Sequence, residues 1–147
     1  MSFGTVAIAA DHAGFEMKDA LGADVSVMGY SVLDLGTGGP DSVDYPDFAK
    51  LLVKALEDGA ADVGVLVCGS GIGMSIAANR HKSIRAALCF DAEAARLARQ
   101  HNDANVVCFG GRMIGPEVAL DCLKIFLQTE FEGGRHARRV NKLSNPQ

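Results

Sequence analysis

The sequence has no cysteine pair at CxxC spacing, which excludes the common zinc-ribbon and thioredoxin-type arrangements. Its four cysteines, Cys68, Cys89, Cys108 and Cys122, stand apart, three of them ending or lying in apolar strand-like runs. They read as reduced, buried thiols of a cytoplasmic protein. No apolar run approaches the length of a membrane span. The first strand-like run starts at Thr5 and leads straight into Asp11, without a signal-peptide pattern. An excess of positive charge is also missing. A formal net charge of −4 and a pI near 5.5 argue against a general nucleic-acid surface. Low-complexity segments, fixed-period repeats and linkers are absent.

What is present is an ordinary globular composition, 48% hydrophobic and 22% charged over 147 residues. That length predicts one domain, 1–147, with a sizeable core. Strand-like runs are expected at Thr5–Ala10, Val32–Leu35, Val63–Val67, Ile84–Phe90 and Asn105–Phe109. Helices are expected from about Gly14, over Asp47–Asp58 and Met74–Asn79, over Ala92–Gln100 with Asp91 as N-cap, and over Glu117–Leu127 behind Pro116. Strands alternating with helices over short connections predict a three-layer, Rossmann-like α/β domain. Its central parallel sheet has about five strands, with helices on both faces. Ligands of such sheets bind at the carboxyl ends of the strands. Asp11 and His12, the run from Cys68 to Ser70, and Gly110 to Arg112 all fall there.

The most informative stretch runs from Val65 to Asn79. An apolar strand ends at Cys68 and enters a loop with glycine at alternate positions, Gly69, Gly71 and Gly73, which opens a helix. Three ligand classes fit such a turn. A P-loop nucleotide site needs GxxxxGK[ST], and no lysine follows the loop. A dinucleotide site needs GxGxxG; here the spacing is GxGxG and Met74 occupies the third glycine position, although Asp91 lies where an acidic residue could meet a ribose. The third class is a small anion, or a developing oxyanion, held by backbone N–H groups. Ser70 adds a hydroxyl donor and Cys68 a base whose thiolate is favoured at a helix N-terminus. A second cluster, Arg135, His136, Arg138, Arg139 and Lys142, concentrates positive charge near the C-terminus. On an acidic chain that suggests an anionic ligand.

Taken in order, Asp11-His12-Ala13-Gly14, Asp44-Tyr45-Pro46, Cys68-Gly69-Ser70-Gly71-Ile72-Gly73, Ile76-Ala77-Ala78-Asn79, Arg99-Gln100-His101-Asn102-Asp103, Phe109-Gly110-Gly111-Arg112 and Glu132-Gly133-Gly134-Arg135-His136 form a series covering nearly the whole length. The series resembles the ribose-5-phosphate isomerase B family of sugar-phosphate isomerases, which includes allose- and galactose-6-phosphate isomerases. The resemblance implies an aldose–ketose isomerase of pentose phosphate metabolism that needs no metal and no other cofactor. It implies Cys68 as the base moving a proton between C1 and C2. Family members without this cysteine use a Glu a few residues into the next helix; Met74 and Ser75 stand there, so the chain resembles the cysteine-dependent branch. Ser70 replaces a frequent Thr and keeps the hydroxyl.

Within that chemistry His101 suits acid–base work at ring opening, with Asp11 close by, because an unperturbed imidazole titrates near neutrality. Gly69, Ser70, Gly71, Ile72 and Gly73 would hold the enediolate oxygen. Arg135 and Arg139, four apart, share one face of a helical turn and suit a phosphate, with Arg112 and His12 as further candidates. Tyr45 and Asn102 would bind sugar hydroxyls. Arg138 is assigned to solvent or a subunit contact, and His136 is left between a phosphate-side position and a cap for the tail. His101 ends a helix antiparallel to the strands, so it should lie at their amino edge, away from the Cys68 of its own chain. A second subunit would then supply it, as in the family's homodimers with shared sites, some paired into tetramers. The C-terminal segment from about residue 130 would supply phosphate and subunit contacts. Other sugar phosphates, of four carbons or of six such as allose 6-phosphate, and a non-catalytic sugar-phosphate-binding role are the alternatives. Neither nucleic acid nor membrane is expected as a partner.

Overall fold

A computed structural model of the chain describes residues 3–146. Five strands, β1 (Thr5–Ala10), β2 (Ser31–Asp34), β3 (Val63–Cys68), β4 (Ala86–Leu88) and β5 (Val106–Gly110), form one parallel sheet in the order β2-β1-β3-β5-β4. Six helices surround it: α1 (Phe15–Val27), α2 (Tyr45–Glu57), α3 (Ile72–Asn79), α4 (Ala92–Asn102), α5 (Pro116–Gln128) and α6 (Arg135–Ser144). The expected α/β architecture is present.

The period-2 alternation of the strands divides the core into two layers. Val6, Ile8, Val65, Val67, Val107 and Phe109 point to one face and pack against α1, α4 and α5, through residues such as Leu21, Ala98 and Phe126. Ala7, Ala9, Leu66, Cys68 and Cys108 point to the other and meet α2 and α3 through Leu52, Val53 and Met74. β3 is buried throughout, as a central parallel strand must be, and so reads as an unbroken apolar run.

The chain leaves β1 toward β2 and leaves β3 toward the opposite edge. The β1/β3 boundary is therefore the switch point at which a doubly wound sheet opens a crevice. The segments following these two strands, Asp11 to Gly14 and Cys68 to Gly73, flank it.

Element bounds differ from the sequence reading where side chains replace backbone bonding. β4 shrinks to three residues from the expected Ile84–Phe90. At its start Asn105 Oδ1 accepts from the Arg85 N–H at 2.8 Å. At its far end Asp91 leaves the sheet to cap α4, its carboxylate accepting from the Ala94 N–H at 2.8 Å. Tyr45 and Pro46 lie inside the first turn of α2, since proline there forfeits no helical hydrogen bond. α4 runs two residues past Gln100, which brings His101 and Asn102 into its last turn.

Candidate active site

At the carboxyl edge of the sheet the site is organised by the β3–α3 turn. Gly71 is the N-cap of α3, with φ +79°. Its N–H donates to the Cys68 Sγ at 3.2 Å, and its left-handed conformation, open to glycine, turns the chain from that point into the helix. The Cys68 side chain is buried, with only 4% of the residue exposed. The Ser70 Oγ accepts from the Ile72 N–H at 3.2 Å, holding the hydroxyl at the helix entrance. Sulfur, hydroxyl and the first N–H groups of an eight-residue helix are thereby collected at one point.

The neighbouring strands close the rim. The Cys68 C=O accepts from the Gly111 N–H at 2.8 Å, and the Gly69 C=O accepts from the Arg112 N–H at 3.0 Å. These bonds carry the exposed Arg112 side chain to the loop, where Nη1 lies 3.6 Å from the position a Cβ on Gly69 would take. From β1, the buried Asp11 accepts at Oδ1 from the N–H groups of Ala13 and Gly14, at 2.9 and 3.1 Å. His12 accepts at Nδ1 from the Val43 N–H at 3.2 Å, which leaves Nε2 as the protonated nitrogen of the neutral ring. From α2, the Tyr45 ring rests on the first turn of α3. A Cβ on Gly73 would fall 2.6 Å from Tyr45 Cζ, so this approach requires glycine.

The remaining predicted residues lie elsewhere. His101 and Asn102 end α4, just before β5 begins at Val106. In the β3/β5 register Val106 is opposite Gly64 and Gly110 is opposite Cys68. Four residue steps of a strand, roughly 13 Å, separate those two levels. His101 and Cys68 of one chain thus occupy opposite edges of the sheet.

Arg135 and Arg139 go with His101. The Glu132 N–H donates to the Gln100 C=O at 3.0 Å, docking the segment before α6 onto α4. The His136 ring stacks on His101 with centroids 4.2 Å apart and planes inclined by 14°. Arg135, Arg138 and Arg139 are exposed on α6 and form no ion pair among the described residues. The structure therefore brings together Asp11, His12, Tyr45, Cys68 to Gly73 and Arg112 on one edge. It brings together His101, Asn102 and the C-terminal arginines on the other.

The family model for ribose/galactose isomerase matches residues 6–143. The chain belongs to that family. It is accordingly an aldose–ketose isomerase. Ribose-5-phosphate isomerase B of Escherichia coli is 41% identical over 139 residues, covering 95% of this chain and 93% of that protein. A crystal structure of a ribose 5-phosphate isomerase from Thermotoga maritima superposes with a TM-score of 0.95 at 49% identity, covering 97% of this chain and 98% of that one. Ribose-5-phosphate isomerase B from Mycoplasma genitalium, solved with bound ribulose-5-phosphate, gives a TM-score of 0.91 at 38% identity, covering 96% and 94%. Like the family's Rossmann-like fold, the sheet here is wholly parallel and covered on both faces.

Two features of this isomerase escape a reading of the sequence. One is Arg99, buried in α4. Its guanidinium donates to the C=O groups of Ala104 at 2.6 Å and Thr129 at 3.2 Å, and meets Asp103 Oδ1 at 2.9 Å. It fixes the end of α4 against the start of β5 and the exit of α5. The other is the His101–Glu132–His136 group, whose ligand-type atoms lie within 4.8 Å of one another. It is the one group of this kind able to hold a metal ion among the described residues. Glu132 and His136 are four apart, but His101 lies more than 30 residues before them in the chain, so no local spacing signals the three together. Among the described residues no helix is long and apolar enough to cross a membrane.

Proposed function

We propose that the chain interconverts ribose 5-phosphate and ribulose 5-phosphate through a cis-enediolate, with Cys68 as the base. The Gly71 N–H aimed at Cys68 Sγ carries this reading, because it supports negative charge on the sulfur where the Gly loop offers further donors. After ring opening the thiolate takes the proton from C2 of the open-chain aldose. The electron pair moves onto the C1 oxygen, and the N–H groups of Gly69 to Gly73 with the Ser70 hydroxyl hold that charge. The thiol returns the proton to C1, and the hydroxyl proton on O2 passes to O1, leaving the C2 carbonyl of the ketose. The thiolate is regenerated, so the cycle needs no cofactor.

His101 serves ring opening as acid and base, and Arg135 and Arg139 hold the phosphate, with Arg112 and His12 beside them. Tyr45, Asn102 and Asp11 meet the sugar. Cys68 and His101 sit on opposite edges of one sheet. A complete site therefore draws His101, Asn102 and the arginines from a second copy in a homodimer.

Cys68→Ala tests the base: turnover falls by about 10²- to 10⁴-fold while sugar-phosphate binding persists. Wild type that binds without turning over points instead to a sensor. Rates across four-, five- and six-carbon sugar phosphates settle the substrate, with the five-carbon pair expected fastest. Mixing Cys68→Ala with His101→Asn chains tests the shared site. Each mixed dimer regains one intact site, so random exchange restores about a quarter of wild-type activity. No recovery on exchange refutes the sharing.

A further inference from the structure

We infer that Glu132 and His136 are positioning residues for His101, holding its ring with a stacked partner and a shared carboxylate. This inference rests on the acid–base role proposed above for His101.

The geometry is that of a supported ring. His136 is the inner member, 8% exposed, whereas the His101 side chain is 37% exposed and faces outward. The rings lie face to face, 4.2 Å apart. One carboxylate oxygen, Glu132 Oε1, lies 3.9 Å from His101 Nε2 and 3.7 Å from His136 Nε2. Those are ion-pair separations, too long for hydrogen bonds. Glu132 is itself held, its N–H bonded to the Gln100 C=O one residue before His101. An imidazole in the last turn of a helix has two side-chain torsions of its own, whereas proton transfer needs a ring held to within about 0.5 Å. A stacked neighbour restricts the first torsion, and the carboxylate favours the rotamer that turns Nε2 toward it.

The charges act in the same direction. Burial first, then His101, Arg135 and Arg139, lower the proton affinity of His136, and Glu132 opposes them. The other charged groups around the pair are Glu93 and Arg96, on the preceding turns of α4. None of these pairs as directly as Glu132 with both rings.

The test uses the full chain without substrate, then with it. NMR titration of the imidazole ring protons follows the pair directly. In Glu132→Gln proton uptake by the pair moves to lower pH, and the acidic limb of the kcat/KM profile moves with it. In His136→Ala kcat falls about tenfold while KM stays nearly constant, because the ring is present but misaligned. His136→Phe restores the stacked face and most of the lost kcat, and leaves one titrating ring. A titration unmoved in Glu132→Gln, together with wild-type kcat in His136→Ala, overturns the positioning role. Glu132 is half-exposed, so its replacement tests the coupling even where His136→Ala folds poorly. His101→Asn separates the two readings: full activity there refutes the acid–base role itself, whatever the titration shows.

Discussion

Gly71→Ala strikes the one position on which the Cys68 site turns. Two costs add. Gly71 sits at φ +79°, where an L side chain is strained by about 1–2 kcal/mol. A methyl group there would also fall 2.5 Å from Leu88 Cδ1, 2.9 Å from the Phe109 carbonyl carbon and 3.0 Å from its oxygen. Leu88 can turn, but the Phe109 backbone belongs to central strand β5 and cannot. Overpacking of this kind costs about 1–3 kcal/mol. The variant is therefore expected to lose about 2–5 kcal/mol in urea denaturation, and each kcal/mol lowers Tm by about 2–4 °C for a domain of this size. Relief of the clash rotates the Gly71 N–H away from Cys68 Sγ, so activity falls further than stability alone explains. Gly69→Ala is the control. Its methyl would meet nothing closer than 3.6 Å, at a backbone angle open to L residues, and stability should stay within about 0.5 kcal/mol of wild type. Equal stability and equal turnover in Gly71→Ala and Gly69→Ala would refute the whole chain of reasoning from backbone angle to thiol.

Two further outcomes follow from the buried titratable groups. Alkylation followed by mass spectrometry should label Cys68 first in the folded protein: burial pushes the Cys89 thiol up to about 12 and Cys108 higher still, and these sulfurs label only on unfolding. Lys18, almost wholly buried, bonds Asp19 at 2.7 Å and Asp34 at 2.8 Å; burial opposes its charge, and the two carboxylates outweigh burial and raise its pKa above 10.5. Its contribution is thus fully present below pH 10.5 and is lost as pH rises through the higher folded value, so the alkaline loss of stability measured by denaturation should flatten in Lys18→Met.

Much of the fold was legible because the information is local. Alternating apolar runs, Asp91 before α4 and Pro116 at the start of α5 each act within a few residues. The Cys68 loop was equally readable, since a strand, a glycine turn and a helix entrance are consecutive in the chain. The limits of β4 were not, because its start depends on Asn105, which lies just before β5 and a whole helix away in the chain. Arg99 reads as an ordinary helical cation until its acceptors, the Ala104 and Thr129 carbonyls, are brought beside it by the turn into β5 and the end of α5. Glu132 and His136 were visible as members of the C-terminal motif, with His136 a candidate near the phosphate or a cap, but not as neighbours of His101.

By itself the sequence determined an α/β sheet with a thiol at a Gly-loop helix entrance, because periodicity, caps and turn glycines act through neighbours in the chain. Only the tertiary structure decided which polar residues share an edge. Strand register puts Cys68 beside Gly110 and, four residues back, Gly64 beside Val106. That fixed distance places the thiol with Asp11, His12, Tyr45 and Arg112, and sends His101 to the far edge with Glu132 and the α6 arginines. Parallel strands all run one way and their helices return, so whatever ends a helix lies at the opposite end of the sheet from whatever ends a strand.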